Sequence, residues 1–273
     1  MKNNDPICII GGYDLLSKSF FREIKKKKEK SIFINLNRQE IRNSKIYNFK
    51  IFQLRKILDT LKKHKIINIL FLGKIERPDF SLFEKDQEII KYIPLLFESY
   101  KKGDGAILKS VIEIFTDKGF NILSPKILLD KFFFVRNEIC KTVANIDKTD
   151  LIKSINVLNS LSKYDNAQSI VIVKGYIIAI EAAEGTDLLL KRSIQIRKNL
   201  NQLKIKAGIL TKIPKKNQSK LVDLPVIGPK TIQLAIDANL NGVAVNSKST
   251  MIYNKKKTLS LIKNSELKVY DIS

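Results

Sequence analysis

The first half of the chain alternates short apolar runs with longer segments whose apolar residues recur at helical spacing. Three runs have the length of strands, and they lie at 7–10, 31–34 and 66–72. The helical spacing predicts helices at 15–28, 52–64, 84–100 and 106–115. A strand–helix–strand order of this kind predicts a parallel sheet with helices on its faces.

The second half begins with an irregular pattern between about residues 120 and 147, and we place the domain boundary there, giving 1–130 and 131–273. The next segment, 147–161, has helical spacing, with Asp147 as the expected N-cap. Two apolar runs around Lys174-Gly175 predict a hairpin. The remaining predicted elements are a helix at 186–200, strands at 207–211, 242–245 and 251–253, and helices at 231–238 and 259–263. The sequence therefore predicts an α/β protein of two domains.

Composition narrows the class of protein. The chain has 273 residues, enough for two compact domains, and 44% of them are hydrophobic, which excludes wholesale disorder. No apolar run reaches the roughly 18–20 residues that span a bilayer, and the N-terminus lacks a secretory h-region. Cys8 and Cys140 are far apart and form no disulfide framework. We expect a cytoplasmic protein with Cys8 buried.

The net charge of +23 raises the hypothesis of a nucleic-acid-binding protein. The lysines are spread along the whole chain, apart from short runs at 25–28 and 255–257. They accompany abundant Ile and Asn, which an AT-rich genome explains without any binding function. Nucleic-acid binding is therefore the weaker alternative, although a basic surface favours phosphorylated substrates and acidic lipid headgroups.

A glycine turn follows the first predicted strand. Gly11 and Gly12 lead through Asp14 into a helix, where backbone N–H groups and the helix dipole attract phosphate. The GxGxxG fingerprint is absent, and Asn35 stands where a ribose-binding acid would end the second strand. These departures argue against a nicotinamide- or flavin-dependent oxidoreductase. The turn is read equally well as a phosphate loop or as a simple tight turn.

Acidic residues cluster where the hairpin gives way to a helix. Glu181, Glu184 and Asp187 lie within seven residues, with Thr186 between them. Carboxylate oxygens are the ligands that Mg²⁺ prefers, usually one or two together with substrate phosphate. The structural alternative is that Thr186 or Asp187 only caps the helix.

A third acidic position lies in a stiff, apolar stretch, Lys220-Leu221-Val222-Asp223-Leu224-Pro225. Burying a carboxylate in such a setting is costly unless it is paired or binds a metal. We therefore favour Asp223 as a metal ligand over an aspartate that caps a turn.

Further candidates follow the third predicted strand and the break before the fourth helix. Gly73, Lys74 and Arg77 lie where ligands bind in open α/β sheets. Asp104 lies in a glycine-flanked turn, where capping is the alternative role. The single histidine, His64, excludes a multi-histidine zinc cluster and is expected to be structural. Neither a nucleophile elbow nor a Walker A sequence is present.

Together these segments resemble the LpxI family of UDP-2,3-diacylglucosamine pyrophosphatases over nearly the whole chain. The resemblance is carried, in order, by Gly11-Gly12-Tyr13-Asp14-Leu15, Phe71-Leu72-Gly73-Lys74, Arg77-Pro78-Asp79-Phe80, Lys102-Gly103-Asp104-Gly105, Ile180-Glu181-Ala182-Ala183-Glu184-Gly185-Thr186-Asp187, Gly208-Ile209-Leu210-Thr211-Lys212, Pro214-Lys215 and Val222-Asp223-Leu224-Pro225-Val226-Ile227-Gly228. Tyr13 departs from the pattern, since the family usually has a third glycine there.

The resemblance implies a Rossmann-like N-terminal domain and a distinct catalytic C-terminal α/β domain. The implied reaction is hydrolysis of UDP-2,3-diacylglucosamine to 2,3-diacylglucosamine 1-phosphate (lipid X) and UMP, in the lipid A pathway of a Gram-negative bacterium. Mg²⁺ is the implied cofactor, with Mn²⁺ as the alternative. Asp223 matches the catalytic, metal-associated aspartate, and Glu181 and Glu184 join it as expected metal ligands. The residues expected to contact substrate are Gly11, Gly12, Asp14, Gly73, Lys74, Asp104, Thr186, Asp187 and Lys212.

An acylated substrate also predicts peripheral contact with the inner membrane, and a homodimer is left open. The alternatives to an enzyme are a non-catalytic nucleotide-sugar-binding protein and a basic nucleic-acid-binding protein. Steeply salt-dependent nucleic-acid binding without hydrolysis would distinguish the latter.

Overall fold

The structure, a computed structural model, describes residues 5–76, 86–135, 138–140, 143–215, 219 and 221–273. The chain forms two compact units. The first, here the N-terminal unit, comprises Met1–Asp130 and Ser219–Asp223, and the second, the C-terminal unit, comprises Lys131–Gln218 and Leu224–Ser273. The short segment before Leu224 therefore groups with the N-terminal unit, and Val222 packs into that unit's apolar core.

The N-terminal unit is built on a parallel five-stranded sheet with the order β3-β2-β1-β4-β5. Its strands are β1 (Ile7–Gly11), β2 (Ile32–Asn35), β3 (Ile46–Asn48), β4 (Asn68–Phe71) and β5 (Asn121–Ile122). Its helices are α1 (Leu15–Lys27), α2 (Leu54–Lys63), α3 (Gln87–Ile90), α4 (Ile93–Lys102), α5 (Asp104–Asp117) and α6 (Pro125–Leu128). The three predicted strands and the parallel sheet are confirmed. Strands β3 and β5 have only three and two residues, too short to show a pattern.

The prediction of one continuous helix over 84–100 is wrong within the described residues. Helix α3 ends at Ile90 and α4 begins at Ile93. Pro94 lies in the first turn of α4, where its missing N–H costs nothing, whereas inside one continuous helix it would remove a hydrogen bond and clash with the preceding turn. The proline therefore starts a new helix instead of continuing the earlier one.

The C-terminal unit contains a mixed five-stranded sheet with the order β12-β10-β8-β6-β7 and a two-stranded parallel pair, β11-β9. The strands are β6 (Ser169–Val173), β7 (Tyr176–Ile180), β8 (Ile209–Lys212), β9 (Val226–Ile227), β10 (Gly242–Val245), β11 (Met251–Ile252) and β12 (Lys268–Asp271). The helices are α7 (Asn145–Leu161), α8 (Thr186–Asn199), α9 (Pro229–Asp237) and α10 (Lys255–Lys263). The predicted hairpin at Lys174-Gly175 is confirmed as β6-β7.

The mixed sheet buries a different row of side chains on each face. Val171, Leu210 and Val243 belong to the larger core cluster, which includes residues of α8 and α9. Their neighbours Ile209 and Ala244 point to the opposite face and pack with residues of α7. Only β6 runs against the other strands, so the carboxyl ends of β7, β8, β10 and β12 share one edge. Ligands of α/β proteins commonly bind at such an edge.

Asp147 does not cap α7 as predicted. The helix begins two residues earlier, and Ala144 is its N-cap. Asp147 is buried and accepts hydrogen bonds from the Tyr270 hydroxyl (3.0 Å) and the Asn241 amide (2.8 Å). Burial, followed by the hydrogen bond to Asp147, raises the pKa of Tyr270 to about 12. Asp147 therefore ties α7 to the sheet instead of ending a helix.

The prediction that Cys8 is buried is confirmed. Burial raises the pKa of the Cys8 thiol well above its ordinary value. His64 ends α2 and lies 2.6 Å from the Tyr47 hydroxyl, a structural contact. Within the described residues, no helix is long and apolar enough to cross a membrane.

Candidate functional site

The glycine turn after β1 is a close crossing of two backbone segments. A Cβ added to Gly12 would lie 2.0 Å from the carbonyl oxygen of Lys74, and one added to Gly11 would lie 2.0 Å from that of Leu72. Gly73 has a φ of +101° and passes equally close to Gly12. These glycines are required because the turn and the segment after β4 touch through their backbones.

Asp14 completes this turn by bonding to backbone on both sides. It is the N-cap of α1, where its Oδ1 accepts from the Ser17 N–H at 2.9 Å. Its Oδ2 accepts from the Lys74 N–H at 2.8 Å. The structure thus brings the predicted group Gly11, Gly12, Asp14, Gly73 and Lys74 together, with the carboxylate of Asp14 engaged by the protein itself.

Asn35 also holds the turn in place. It is buried at the end of β2, and its Oδ1 lies 3.3 Å from the N–H groups of both Tyr13 and Asn37. Its amide group donates to Gln39 O at 2.8 Å. The Tyr13 ring packs edge-on against Phe33, with 5.0 Å between the centroids. The position at which dinucleotide enzymes carry a ribose-binding acid is therefore occupied by a structural amide.

Replacing Gly12 by alanine is expected to reduce the free energy of unfolding by about 3 kcal/mol or more, because the new methyl group overlaps a backbone oxygen. Gly119→Ala is the matched control in the same unit, since Gly119 has a φ of +86° and nothing within 4 Å of an added Cβ. We expect Gly119→Ala to lose about 1–2 kcal/mol of unfolding free energy, because alanine is strained at a positive φ. Urea unfolding measures both variants, and equal losses would contradict the close crossing.

In the C-terminal unit, polar residues interrupt an apolar face at the shared edge of the strands. Ser169, Lys212, Val245 and Asp271 are register partners across four neighbouring strands, which lie about 4.8 Å apart. Lys212 takes the place in β8 where the alternation after Leu210 calls for another apolar residue. It is only 7% exposed, and a lysine is almost never so buried without a partner.

The hydroxyl of Thr186, the first residue of α8, is the centre of this polar group. Lys212 Nζ lies 2.6 Å from Thr186 Oγ1, and Ser169 Oγ lies 3.0 Å from the same oxygen. The two carboxylate oxygens of Glu181 lie 3.4 and 3.3 Å away. Gly185, with a φ of +79°, makes the turn that brings the start of α8 back to the strand ends. A buried cation, two hydroxyls and a carboxylate thus meet at one helix N-terminus.

Glu184 is committed to a different contact. Its Oε1 is 2.5 Å from Arg192 Nη2, and its Oε2 accepts from the Ala182 N–H at 3.0 Å. The hydrogen bond from Arg192 is the main reason that the pKa of Glu184 is lowered. The same Arg192 nitrogen donates to Ile180 O at 2.8 Å. Glu184 therefore fastens the turn to α8, and both its oxygens are already engaged.

Asp187 connects the first turns of two helices. Its Oδ1 accepts from Thr231 Oγ1 at 3.0 Å, and its Oδ2 lies 3.1 Å from Lys230 Nζ. Both partners belong to the start of α9. Sequence reasoning did not single out Thr231 or Lys230, since neither is distinctive without knowledge of which helices are neighbours.

The structure places Asp223 on the surface, in a left-handed backbone conformation with a φ of +55°. The expectation that Asp223 is buried is therefore wrong, although Val222 beside it is buried. Asp104 is also exposed and is the first residue of α5, behind Gly103 as N-cap. Arg77, Pro78, Asp79, Phe80 and Lys220 lie outside the described residues.

The acidic residues differ in how well they are suited to bind a divalent cation. Within the described part of the chain, no three His, Cys, Asp or Glu residues are grouped as a metal site. Mg²⁺ needs only one or two carboxylates when a substrate phosphate supplies further oxygens. Asp223 is exposed, and Glu181 makes only long contacts to Thr186. Within the C-terminal unit, Glu181 therefore suits a cation better than Glu184 does.

Two family models match this chain, and together they cover nearly all of it. Residues 6–132 match the model of the LpxI N-terminal domain, and residues 138–270 match that of the LpxI C-terminal domain. The chain is 29% identical over 212 residues to the UDP-2,3-diacylglucosamine pyrophosphatase LpxI of Caulobacter vibrioides. That alignment covers 77% of this chain and 76% of the relative.

Proposed function

Because the chain belongs to the LpxI family, we propose that it hydrolyses UDP-2,3-diacylglucosamine to 2,3-diacylglucosamine 1-phosphate (lipid X) and UMP, as a step of lipid A biosynthesis. The observation that carries the proposal is the match of both LpxI domain models in order along the chain. The polar group around Thr186, at the edge of the sheet where ligands commonly bind, supports a site for a charged substrate.

The diphosphate is the group that such a site has to stabilise. In our proposal, Lys212 donates hydrogen bonds to the diphosphate oxygens, and the N-terminus of α8 at Thr186 adds N–H groups and the positive end of its dipole. A nearly buried ammonium interacts more strongly with phosphate than an exposed one, because less water screens it. Such preorganised donors stabilise the negative charge that develops on phosphate oxygens during hydrolysis.

Divalent metal is the second part of the proposal, with Mg²⁺ expected and Mn²⁺ as the alternative. The resemblance to the LpxI family implies Asp223, Glu181 and Glu184 as the residues that would hold it, and Glu184 is the weakest candidate because Arg192 already pairs with it. Bound Mg²⁺ would neutralise diphosphate charge and lower the pKa of a coordinated water.

The proposed reaction is a direct displacement by water. The water oxygen forms a bond to one phosphorus of the diphosphate, and the bond from that phosphorus to the bridging oxygen breaks. The bridging oxygen leaves with the other phosphate, and no covalent intermediate with the enzyme forms. Asp223 is the proposed catalytic residue.

The remaining predicted substrate contacts stay proposals, with roles refined by the geometry. Gly11, Gly12 and Gly73 allow a backbone crossing, and Asp14 fixes the Lys74 backbone. The exposed side chains of Lys74 and Asp104 are the ones proposed to meet substrate. Asp187 is proposed to act by fixing the start of α8 against α9.

The acyl chains of the substrate also lead us to propose a cytoplasmic enzyme that contacts the inner membrane peripherally. The net charge of +23 favours attraction to anionic headgroups, worth about 1 kcal/mol per well-placed lysine.

Removal of metal tests the proposed cofactor. UMP release by the purified protein is expected to fall to background after treatment with EDTA, because the diphosphate charge is then no longer neutralised. Adding Mg²⁺ in excess of EDTA is expected to restore the rate, and adding Ca²⁺, a larger ion with looser geometry, is the matched control. A rate that is unaffected by EDTA would contradict metal dependence.

A further inference from the structure

Ser169 is a buried hydroxyl within the proposed site that neither the sequence patterns nor the family resemblance marked. It is the first residue of β6, is 0% exposed, and is the register partner of Lys212. Among the described residues, its hydroxyl has a single hydrogen-bond partner, Thr186 Oγ1, at 3.0 Å. The other side chains around that oxygen are those proposed to handle diphosphate and metal.

The hydroxyls of Ser169 and Thr186 have one favourable arrangement of their protons. An ammonium can only donate, so Thr186 accepts from Lys212. If Thr186 also gave its one proton to Ser169, the buried Ser169 proton would have no acceptor, and the Glu181 carboxylate would lose a donor. In the alternative, Ser169 donates to Thr186 and Thr186 donates to Glu181, so that both hydroxyl protons have an acceptor.

This arrangement uses the full bonding capacity of the Thr186 oxygen. A hydroxyl has one proton and two lone pairs, and here the lone pairs accept from Lys212 and Ser169. Without the Ser169 hydroxyl, one lone pair of the buried Thr186 oxygen has no donor, and the Lys212 ammonium lies beside it. The Lys212 ammonium is then able to turn further toward Thr186, away from the strand edge where the diphosphate is proposed to bind.

We propose that Ser169 is a positioning residue, which fixes the Thr186 hydroxyl between Lys212 and Glu181 and so keeps the Lys212 ammonium directed at the substrate diphosphate. The inference rests on the proposed function and adds to it a residue that touches no substrate itself. Loss of such supporting partners typically costs about 10–100-fold in activity.

The chain supplies a matched control on the opposite face of the same sheet. Ser154, in α7, is also 0% exposed; its hydroxyl donates to Leu151 O at 2.6 Å and accepts from the hydroxyl of Thr211, the neighbour of Lys212 in β8, at 2.6 Å. Ser154→Ala therefore removes an equally buried serine–threonine hydrogen bond without touching Lys212, Thr186 or Glu181.

The experiment compares steady-state UMP release and urea unfolding for the wild type, Ser169→Ala and Ser154→Ala. We expect both variants to lose similar stability, Ser169→Ala to lose about tenfold in kcat, and Ser154→Ala to stay within twofold of the wild type. Equal kcat values for the two variants would overturn the positioning role alone. Absence of UMP release from the wild type and from Ser154→Ala would overturn the proposed function itself, and the positioning role with it.

A double-mutant cycle separates positioning from a general loosening of the fold. If Ser169 acts through Thr186, Ser169→Ala has no further effect on kcat in a Thr186→Val background. A second tenfold loss in that background would show that the two residues act independently and would overturn the proposal.

Discussion

Replacing Asp223 by asparagine is expected to lower kcat by about 10³-fold, the largest effect of any single change, while urea unfolding is unchanged. Removing a carboxylate that holds a catalytic cation forfeits several kcal/mol of transition-state stabilisation, and each 1.4 kcal/mol is about tenfold in rate. We expect unfolding to be unchanged because asparagine has the same shape as aspartate and adopts the same left-handed backbone conformation.

Asparagine is a better replacement here than alanine because of the backbone. Asp223 has a φ of +55°, a left-handed conformation that Asp and Asn adopt readily and that costs other residues about 1–2 kcal/mol. Asp223→Ala would therefore remove the charge and strain the backbone at the same time, and the two effects could not be told apart in that variant. Steady-state UMP release with urea unfolding of each variant separates the two effects.

Asp165→Asn is the control for this prediction. Asp165 is also left-handed, with a φ of +54°, and its partner is Lys215 at 2.8 Å. This variant is expected to keep wild-type kcat, because the same chemical change is made outside the proposed site. An Asp223→Asn enzyme that retains more than a tenth of the wild-type kcat would show that Asp223 is not the catalytic ligand.

Replacing Lys212 by methionine is expected to lower kcat by about 10²–10³-fold, with a loss of about 1–3 kcal/mol of unfolding free energy. The activity falls because a preorganised donor to the diphosphate is lost. The loss of stability is moderate because methionine matches the length of lysine, while the buried Thr186 oxygen is left without one donor. Steady-state kinetics and urea unfolding of the same preparation measure both quantities.

Lys255→Met is the contrasting control. Lys255 lies 2.7 Å from Glu138 and donates to Phe133 O at 2.7 Å, so its loss leaves a half-buried carboxylate unpaired. This variant is expected to lose a similar amount of stability while keeping kcat, so that kcat alone separates it from Lys212→Met. If Lys212→Met loses stability but keeps the wild-type kcat, Lys212 is a structural residue and its role in the site is wrong.

The parts of the fold that the sequence predicts are those with a strong local signal. Strands β1, β2 and β4 are continuous apolar runs, as expected for strands buried on both faces. Helix α10 begins four residues before its predicted start, because its first turn is Lys255-Lys256-Lys257, which shows no apolar spacing. Strand β12 was missed because only Val269 and Tyr270 are buried in it.

The residues of the candidate site could likewise be predicted only where the sequence has a strong local signal. The spacing of Glu181 and Thr186 at a strand–helix junction indicates a polar site from sequence alone, and the structure adds Lys212 to it through the register of β8. Ser169 was missed, although a serine that opens an otherwise apolar run is a weak signal of a polar strand end. A burial argument for Asp223 failed because apolar neighbours in sequence do not decide where a side chain points.

The most direct test of the account is ³¹P NMR of purified protein incubated with UDP-2,3-diacylglucosamine and Mg²⁺. We expect the diphosphate resonances to disappear and two phosphomonoester signals, from UMP and 2,3-diacylglucosamine 1-phosphate, to grow in equal amounts. Diphosphate resonances that persist, or the appearance of UDP in place of UMP, would contradict the proposed hydrolysis.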